Sequence, residues 1–340
     1  MTSLQLPPVG IAGTGVYTPP QVITGQEIAA RTGLPDFVVL EKMGIRAIHV
    51  AGPQDTITAM ATTAARRALD AAGLDPLQLD AVLYHGSEYK DHIVWSAASK
   101  IQQMIGASNA FAFETYALCA GAPIAYKVAR DMMRLDDRLQ NVLLVSASRE
   151  NDLIDLDNLR TRFMFNFGAG GGAAIFQRGL AHNVVLESAV RTDGSLADTV
   201  VLTPAGNEPR LMPAEMGTLH GRLDVQHAEY MAERLGAVSL ANFTGVITEA
   251  VERSGYALGD LRFLGITHMK ASFFREILAA VGLTPDQAVY LDQYGHIQSV
   301  DQVLALELGL AQGKIKDGDL VVLAGAGTGY TWSATALRWG

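Results

Sequence analysis

The sequence predicts a duplicated α/β fold in which two β-α-β-α-β-type halves stack as five layers, αβαβα, with helices between and outside two sheets. Three observations point there. Helix-like stretches end at Gly73 and again at Gly255, and six residues after each glycine a strand begins, at Leu79–Tyr84 and at Leu261–Ile266. Farther on, Asn141–Val145 matches Asp319–Leu323. No Ser/Gly-rich linker separates the copies, so one compact unit is expected, with halves at 1–180 and 181–340.

The elements follow in order. Val9–Pro20 reads as a short buried strand running into a Gly/Pro turn. Its Gly13-x-Gly15 lacks the third glycine of a dinucleotide loop, and Pro19-Pro20 stands where a helix would open, so a plain turn is expected. Thr56–Ala72 is Ala-rich and reads as a helix stopped by Gly73. After Leu74-Asp75-Pro76 come the strand Leu79–Tyr84, a helix at Ser96–Ile105 and the strand Ala110–Thr115. A sharp turn through Tyr116–Gly121 leads into a long helix at Pro123–Leu135 and a strand at Asn141–Ser146. Gly168–Ala173 offers close backbone approach ahead of a strand at Ala174–Phe176. In the second copy the helix is Leu240–Ser254 and the strands are Leu261–Thr267 and Leu320–Ala324.

Composition bounds the function. The 340 residues carry 26 Lys+Arg against 35 Asp+Glu, a formal charge of −9, with 49% hydrophobic and 18% charged residues, which excludes a disordered chain. An acidic balance without a Lys/Arg cluster argues against a nucleic-acid partner. The single cysteine, Cys119, rules out an intramolecular disulfide and a Cys-rich metal site, and fits a reducing compartment. Met1–Gln5 has no basic region followed by an apolar run, and no apolar stretch reaches the roughly 18 residues of a membrane span. A cytoplasmic protein with no metal and no membrane segment is expected.

Cys119 lies in Glu114–Pro123, where an apolar strand meets an apolar helix. A lone cysteine is ordinarily a buried structural residue. Here small neighbours, Ala117, Ala120, Gly121 and Ala122, leave the side chain at the apex of a strand-to-helix turn, and a helix N-terminus favours the thiolate. Such a nucleophile needs a histidine. His268 ends a strand, and His296 precedes the strand at Asp319 by 23 residues much as Cys119 precedes Asn141 by 22, so the two turns read as pseudo-equivalent and face one cleft. Asp292 or Asp301 could orient His296. His49, His182, His220 and His227 take the default reading of satisfied core or surface groups, while His85 and His92 bracket a polar loop, Ser87–Asp91. Two histidines and one cysteine fall short of the four ligands of a structural zinc site. Gly325–Gly329 is a tight turn whose backbone N–H groups could face an oxyanion formed when Cys119 attacks a thioester.

Over nearly its whole length the chain resembles the 3-oxoacyl-ACP synthase III group of thiolase-fold condensing enzymes. The resembling residues are Gly44-Ile45-Arg46, Ala117–Gly121, Gly168–Ala173, His268 at its strand end, and the tail Gly313–Gly329. The resemblance implies a thiolase-like fold and a homodimer. It implies that Cys119 takes an acyl group from an acyl-CoA or acyl-carrier-protein thioester with no further cofactor, and that His268 and His296 serve the second half-reaction. Backbone N–H groups of Cys119, Gly327 and Gly329 would hold the oxyanion.

The chain also departs from the family. The Asn of its Cys-His-Asn set is His296, its His-Gln-Ala-Asn stretch reads His268-Met269-Lys270-Ala271, and the glycine-rich Asp is Ala169. An adenine-stacking Trp and a phosphate-binding Arg are replaced by Val38 and Lys42. Lys42, Arg46 and Lys270 become the candidate substrate-binding residues. Decarboxylative condensation with a malonyl thioester needs hydrogen bonds to an enolate oxygen, which a His/His pair can supply. Transfer of the acyl group to a small hydroxyl or amine acceptor needs a general base of pKa near 7, which His can be and Asn cannot. Asn→His therefore favours acyl transfer, and the altered second-substrate positions resemble divergent family members that acylate hydroxyls in natural-product biosynthesis; condensation is the alternative. A non-catalytic partner subunit is a weaker reading, because Cys119 and both histidines are retained.

Overall fold

The computed structural model describes residues 6–92, 94–203 and 221–340; Met1–Gln5 and His220 lie outside the described residues. The first half runs β1 (Val9–Tyr17), β2 (Val22–Thr24), α1 (Gly25–Thr32), β3 (Ala47–His49), α2 (Ile57–Ala72), β4 (Ala81–Gly86), α3 (Ala97–Ile105), β5 (Phe111–Tyr116), α4 (Gly121–Leu135), β6 (Asn141–Ser148) and β7 (Gly170–Arg178). The second runs β8 (Val184–Thr192), β9 (Val200–Thr203), β10 (Arg222–Val225), α5 (Ala228–Arg253), β11 (Leu261–Ile266), α6 (Ala271–Ala280), α7 (Asp301–Ala311), β12 (Leu320–Gly327) and β13 (Thr331–Arg338).

The strands stand in the order β5-β4-β6-β7-β1 and β8-β13-β12-β11, and the two sets join at Gly10 and Val184. In the first half β4 pairs in parallel with β5 and β6, and β7 runs antiparallel to β6 and β1. The second half repeats this, with β11 parallel to β12, and β13 antiparallel to β12 and β8. A parallel bridge from Leu264 to Ala288 marks where a counterpart of β5 would lie.

Three apolar clusters define the layers. One gathers Ile57, Met60, Ala64 and Ile101 of α2 and α3 against the outer face of the first sheet. A second packs Phe243, Val246, Phe274 and Ile277 of α5 and α6 on the outer face of the second sheet. Between the sheets lies a third, built on Ala122, Ala125 and Tyr126 of α4 and Val303 and Leu304 of α7. Two sheets thus enclose two central helices, the five layers expected.

Local signals set the element ends. The Thr56 hydroxyl accepts the Ala59 N–H at 3.2 Å to open α2, and Gly73, at φ +64, closes it in a left-handed turn that glycine adopts without steric cost. The structure also corrects the sequence reading. The Gly168–Ala173 run is not a lead-in: β7 begins at Gly170. A Cβ at Gly171 would stand 2.5 Å from the Met60 carbonyl of α2, and one at Gly172 would stand 2.5 Å from Val303 Cγ1 of α7. Helices press on both faces of this strand, so only glycines fit. α4 begins at Gly121 rather than Pro123, α5 begins at Ala228 rather than Leu240, and β8 and β13 went unread.

Candidate active site

Both central helices open from the same device. Leu118–Ala120 and Gln298–Val300 are single 3-10 turns, entered through Leu118 and Gln298, each at φ +50. A left-handed non-glycine residue costs about 1 kcal/mol, so both elbows are held by their surroundings. Counting from the helix starts, the counterpart of Cys119 is Ser299, not His296. The two turns are pseudo-equivalent as expected, but the histidine stands three residues ahead of the matching position.

The first elbow is fixed by the second half of the chain. Ser333 Oγ donates to the Ala120 carbonyl at 2.8 Å, and Gln302 Nε2 donates to the Cys119 carbonyl at 3.3 Å. β12 lies directly against it: a Cβ on Gly327 would meet the Ala117 carbonyl at 2.5 Å and the Cys119 nitrogen at 3.2 Å. Gly327 is therefore a close-approach position beside the backbone N–H of Cys119. Gly329, at φ +116, closes the turn that follows.

Cys119 Sγ lies 3.0 Å from His296 Nε2, and His296 Nδ1 lies 2.6 Å from Asp301 Oδ2. All three residues are buried. Asp301 Oδ2 also accepts the backbone N–H of His268 at 2.8 Å, and Oδ1 accepts that of Ile297 at 2.7 Å. Burial alone would push the His296 imidazole down, but the charges of Cys119 and Asp301 and its hydrogen bonds to both outweigh burial and hold it well above the ordinary histidine value. A thiol, an imidazole and a buried carboxylate thus stand in line, the geometry that nucleophilic catalysis requires. Of the two aspartates, Asp301 takes the orienting place, while Asp292 pairs with Arg46 at 2.9 Å.

His268 stands differently from the expectation. Its Nε2 lies 3.0 Å from the Gly44 carbonyl and its Nδ1 lies 2.8 Å from Asn166 Nδ2. A carbonyl only accepts and an amide nitrogen only donates, so the ring carries its proton on Nε2 and both nitrogens are engaged away from Cys119. Burial pushes it down to about 4, and the charge of His296 adds to that, against the opposing pull of Asp301 and Gly44. The Tyr290 ring packs 4.9 Å away, centroid to centroid, and its hydroxyl donates to the Met269 carbonyl at 2.7 Å. His268 and His296 are thus neighbours through Asp301, but only His296 reaches the sulfur.

Asn166 is the residue that sequence reasoning missed. Its carbonyl accepts the His296 N–H at 2.7 Å while its side chain holds His268, so one residue braces both histidines. Its Oδ1 is buried without a hydrogen-bond partner. Nothing in Phe165-Asn-Phe-Gly168 announces this; the contact with His268 spans 102 positions.

His85, left open from sequence, is buried beneath the site. Its Nδ1 lies 3.2 Å from Ser299 Oγ, which donates to the His85 carbonyl at 3.1 Å and lies 2.8 Å from Ser146 Oγ. Burial pushes this imidazole down to about 3. His92 is exposed and edges against Trp95. Lys42, Arg46 and Lys270 are all exposed; Lys42 sits over the Phe37 ring at 5.0 Å and Lys270 precedes α6. None of the three contacts Cys119, but the bond from His268 to Gly44 brings the segments that carry them together. Among the described residues no group of three or more His, Cys, Asp or Glu side chains could hold a metal ion, and no helix is long and apolar enough to cross a membrane.

Known proteins resemble this chain along most of its length. Residues 113–194 match the family described as 3-oxoacyl-[acyl-carrier-protein] synthase III, and residues 251–339 match that family's C-terminal domain. A β-ketoacyl-[acyl-carrier-protein] synthase III from Agrobacterium fabrum is 29% identical over 335 residues, covering 97% of this chain and 98% of that one. The crystal structure of 3-oxoacyl-[acyl-carrier-protein] synthase III from Aquifex aeolicus superposes with a TM-score of 0.83 at 26% identity, over 97% of this chain and 100% of that one. The synthase III structure from Thermus thermophilus gives a TM-score of 0.83 at 27% identity, over 97% and 99%.

Proposed function

From the premise that the chain belongs to the 3-oxoacyl-[acyl-carrier-protein] synthase III family of condensing enzymes, we propose that Cys119 accepts an acyl group from an acyl-CoA or acyl-carrier-protein thioester and passes it to a small hydroxyl or amine acceptor. In the first half-reaction the Cys119 thiolate attacks the thioester carbon. Backbone N–H groups of Cys119 and the Gly327–Gly329 turn receive the oxyanion, and the departing thiol takes its proton from the His296 imidazolium. In the second, neutral His296 keeps its Nδ1 proton on Asp301 and turns the Nε2 lone pair toward the sulfur. It removes the acceptor's proton, the new C–O or C–N bond forms, and the C–S bond breaks to return thiolate and imidazolium.

One observation carries the reading: the Cys119–His296–Asp301 alignment leaves His296 Nε2 free to accept a proton once Cys119 is acylated, while His268 spends both nitrogens on Gly44 and Asn166. Condensation with a malonyl thioester needs the reverse, N–H donors free to hold an enolate oxygen. It remains the second reading because the named relatives are β-ketoacyl synthases, and their names favour condensation over transfer. The exposed Lys42, Arg46 and Lys270 are proposed to receive the donor's phosphates. A homodimer in the cytoplasm is proposed too, supported by β5, an edge strand with Phe111 exposed.

The test offers the enzyme an acyl-CoA, a panel of alcohols and amines, and malonyl-CoA labelled in its free carboxylate. Ester or amide formation without labelled CO2 supports transfer; CO2 release that keeps pace with acylation of Cys119 assigns condensation.

A further inference from the structure

The geometry points to Asn166 as the residue that sets reaction specificity: by pinning the His268 ring, it withholds the N–H donor that a decarboxylated nucleophile would need. This inference rests on the transfer reading and names the cause of it. Asn166 is 6% exposed and buried within the site, and its side-chain amide places an N–H donor 2.8 Å from His268 Nδ1. That choice of partner fixes the tautomer. With Nδ1 accepting, the single ring proton sits on Nε2 and is consumed by the Gly44 carbonyl at 3.0 Å. The ring is clamped from two sides and packed against the tilted Tyr290 ring, which holds its N–H on Gly44.

The consequence is chemical. When a malonyl thioester loses CO2, the bond between the carboxylate carbon and the α-carbon breaks and its electron pair passes into the thioester enolate. The enolate α-carbon then attacks the acyl carbon on Cys119, and the C–S bond breaks to release thiolate. The charge held between these steps sits on the enolate oxygen, and stabilising it takes donors already in place. Neutral His296 offers its lone pair at Nε2, since its proton is committed to Asp301 at Nδ1. With His268 clamped, neither imidazole supplies an N–H there. A hydroxyl or amine acceptor makes no such demand, because its attack needs only the base.

Asn166 therefore acts through His268 as a positioning residue. Its carbonyl, which receives the His296 N–H at 2.7 Å, is a backbone group, so a side-chain substitution leaves that donor–acceptor pair available. Asn166→Leu has nearly the same size and removes the amide donor. Asn166→Asp keeps a partner at the same place, its carboxylate accepting from Nδ1 of a ring protonated on both nitrogens, and keeps the ring clamped between it and Gly44.

The experiment uses the full-length enzyme with an acyl-CoA donor and carboxyl-labelled malonyl-CoA, and reads labelled CO2 released per acyl-Cys119 formed. The ratio is low in the wild type and rises about 3- to 10-fold in Asn166→Leu, the value of one neutral hydrogen bond, while Asn166→Asp stays with the wild type. An unchanged ratio in Asn166→Leu, or an equal rise in both variants, overturns the inference. Nitrogen NMR of 15N-histidine-labelled wild type gives a check that needs no variant to fold. At pH 7 His268 is expected neutral with its proton on Nε2; a proton on Nδ1, or on both nitrogens, overturns the inference. Failure of the transfer reading looks different: the wild type itself releases CO2 as fast as it acylates Cys119.

Discussion

Asp301 holds His296 at 2.6 Å through Oδ2, and the same oxygen accepts the backbone N–H of His268 at 2.8 Å. A carboxylate at the first residue of α7 thereby fixes the His296 ring and the strand end beside it. Asp301→Asn places an amide where three N–H groups converge, so at least one donor loses its acceptor, at a cost of about 1–3 kcal/mol. The imidazolium loses its anionic partner, and acylation of Cys119 is expected to slow by about 100-fold or more. Rapid-quench intact-mass spectrometry reads the rate.

Ser299 occupies the second elbow at the position that Cys119 occupies in the first, yet it is fully buried and its hydroxyl joins His85 and Ser146. It is a brace rather than a second nucleophile. Ser299→Ala leaves His85 Nδ1 and Ser146 Oγ without this partner and is expected to lower stability by about 1–3 kcal/mol, as read by urea unfolding. Acylated wild-type protein should carry no label on Ser299 in peptide mapping.

Gly327 touches the nucleophile turn at backbone distance. Gly327→Ala forces a Cβ to within 2.5 Å of the Ala117 carbonyl, a backbone atom that can move only with the turn itself. The expected result is a fall in the acylation rate of at least about tenfold, because small displacements of a reacting atom weigh heavily. Gly236→Ala, with nothing within 4 Å of the added carbon, is expected to leave the rate alone.

The two buried neutral histidines make stability fall in acid. His268 is pushed down to about 4 and His85 to about 3. The unfolded chain binds these protons below roughly pH 6.5, whereas the folded chain resists them, so stability rises with pH across that window and is lost as pH falls. By pH 4 each contributes a loss of about 3 kcal/mol. His296 works in the opposite sense: its raised value stabilises the fold below about pH 6.5, and that contribution fades as pH climbs through the raised value. Unfolding midpoints of wild type and His268→Gln at pH 4 and 7 measure the difference; the variant should show the shallower decline.

The duplication was legible because turn chemistry is local. Gly73 and Gly255 both lie past helix ends at positive φ, and six residues after each an apolar run begins, at Leu79 and Leu261, that leads into β4 and forms β11. Cys119 was legible for the same reason, as a side chain at a strand-to-helix turn among small residues. The direction of the His268 ring was not, since it depends on Gly44, 224 positions away, and on Asn166, 102 positions away. Anchoring the second turn on His296 rather than on the first residue of α7 concealed the match between Ser299 and Cys119. β8 and β13 escaped because they pair with each other at the centre of the joined sheet across a separation that no local pattern reports.

The account turns on an acyl-enzyme at Cys119, and intact-mass spectrometry after brief mixing with an acyl-CoA tests it most directly. The wild type should gain the mass of one acyl group, located by peptide mapping to Cys119, and Cys119→Ala should gain none. Wild-type protein that stays unmodified, or an adduct that persists in Cys119→Ala, would contradict it.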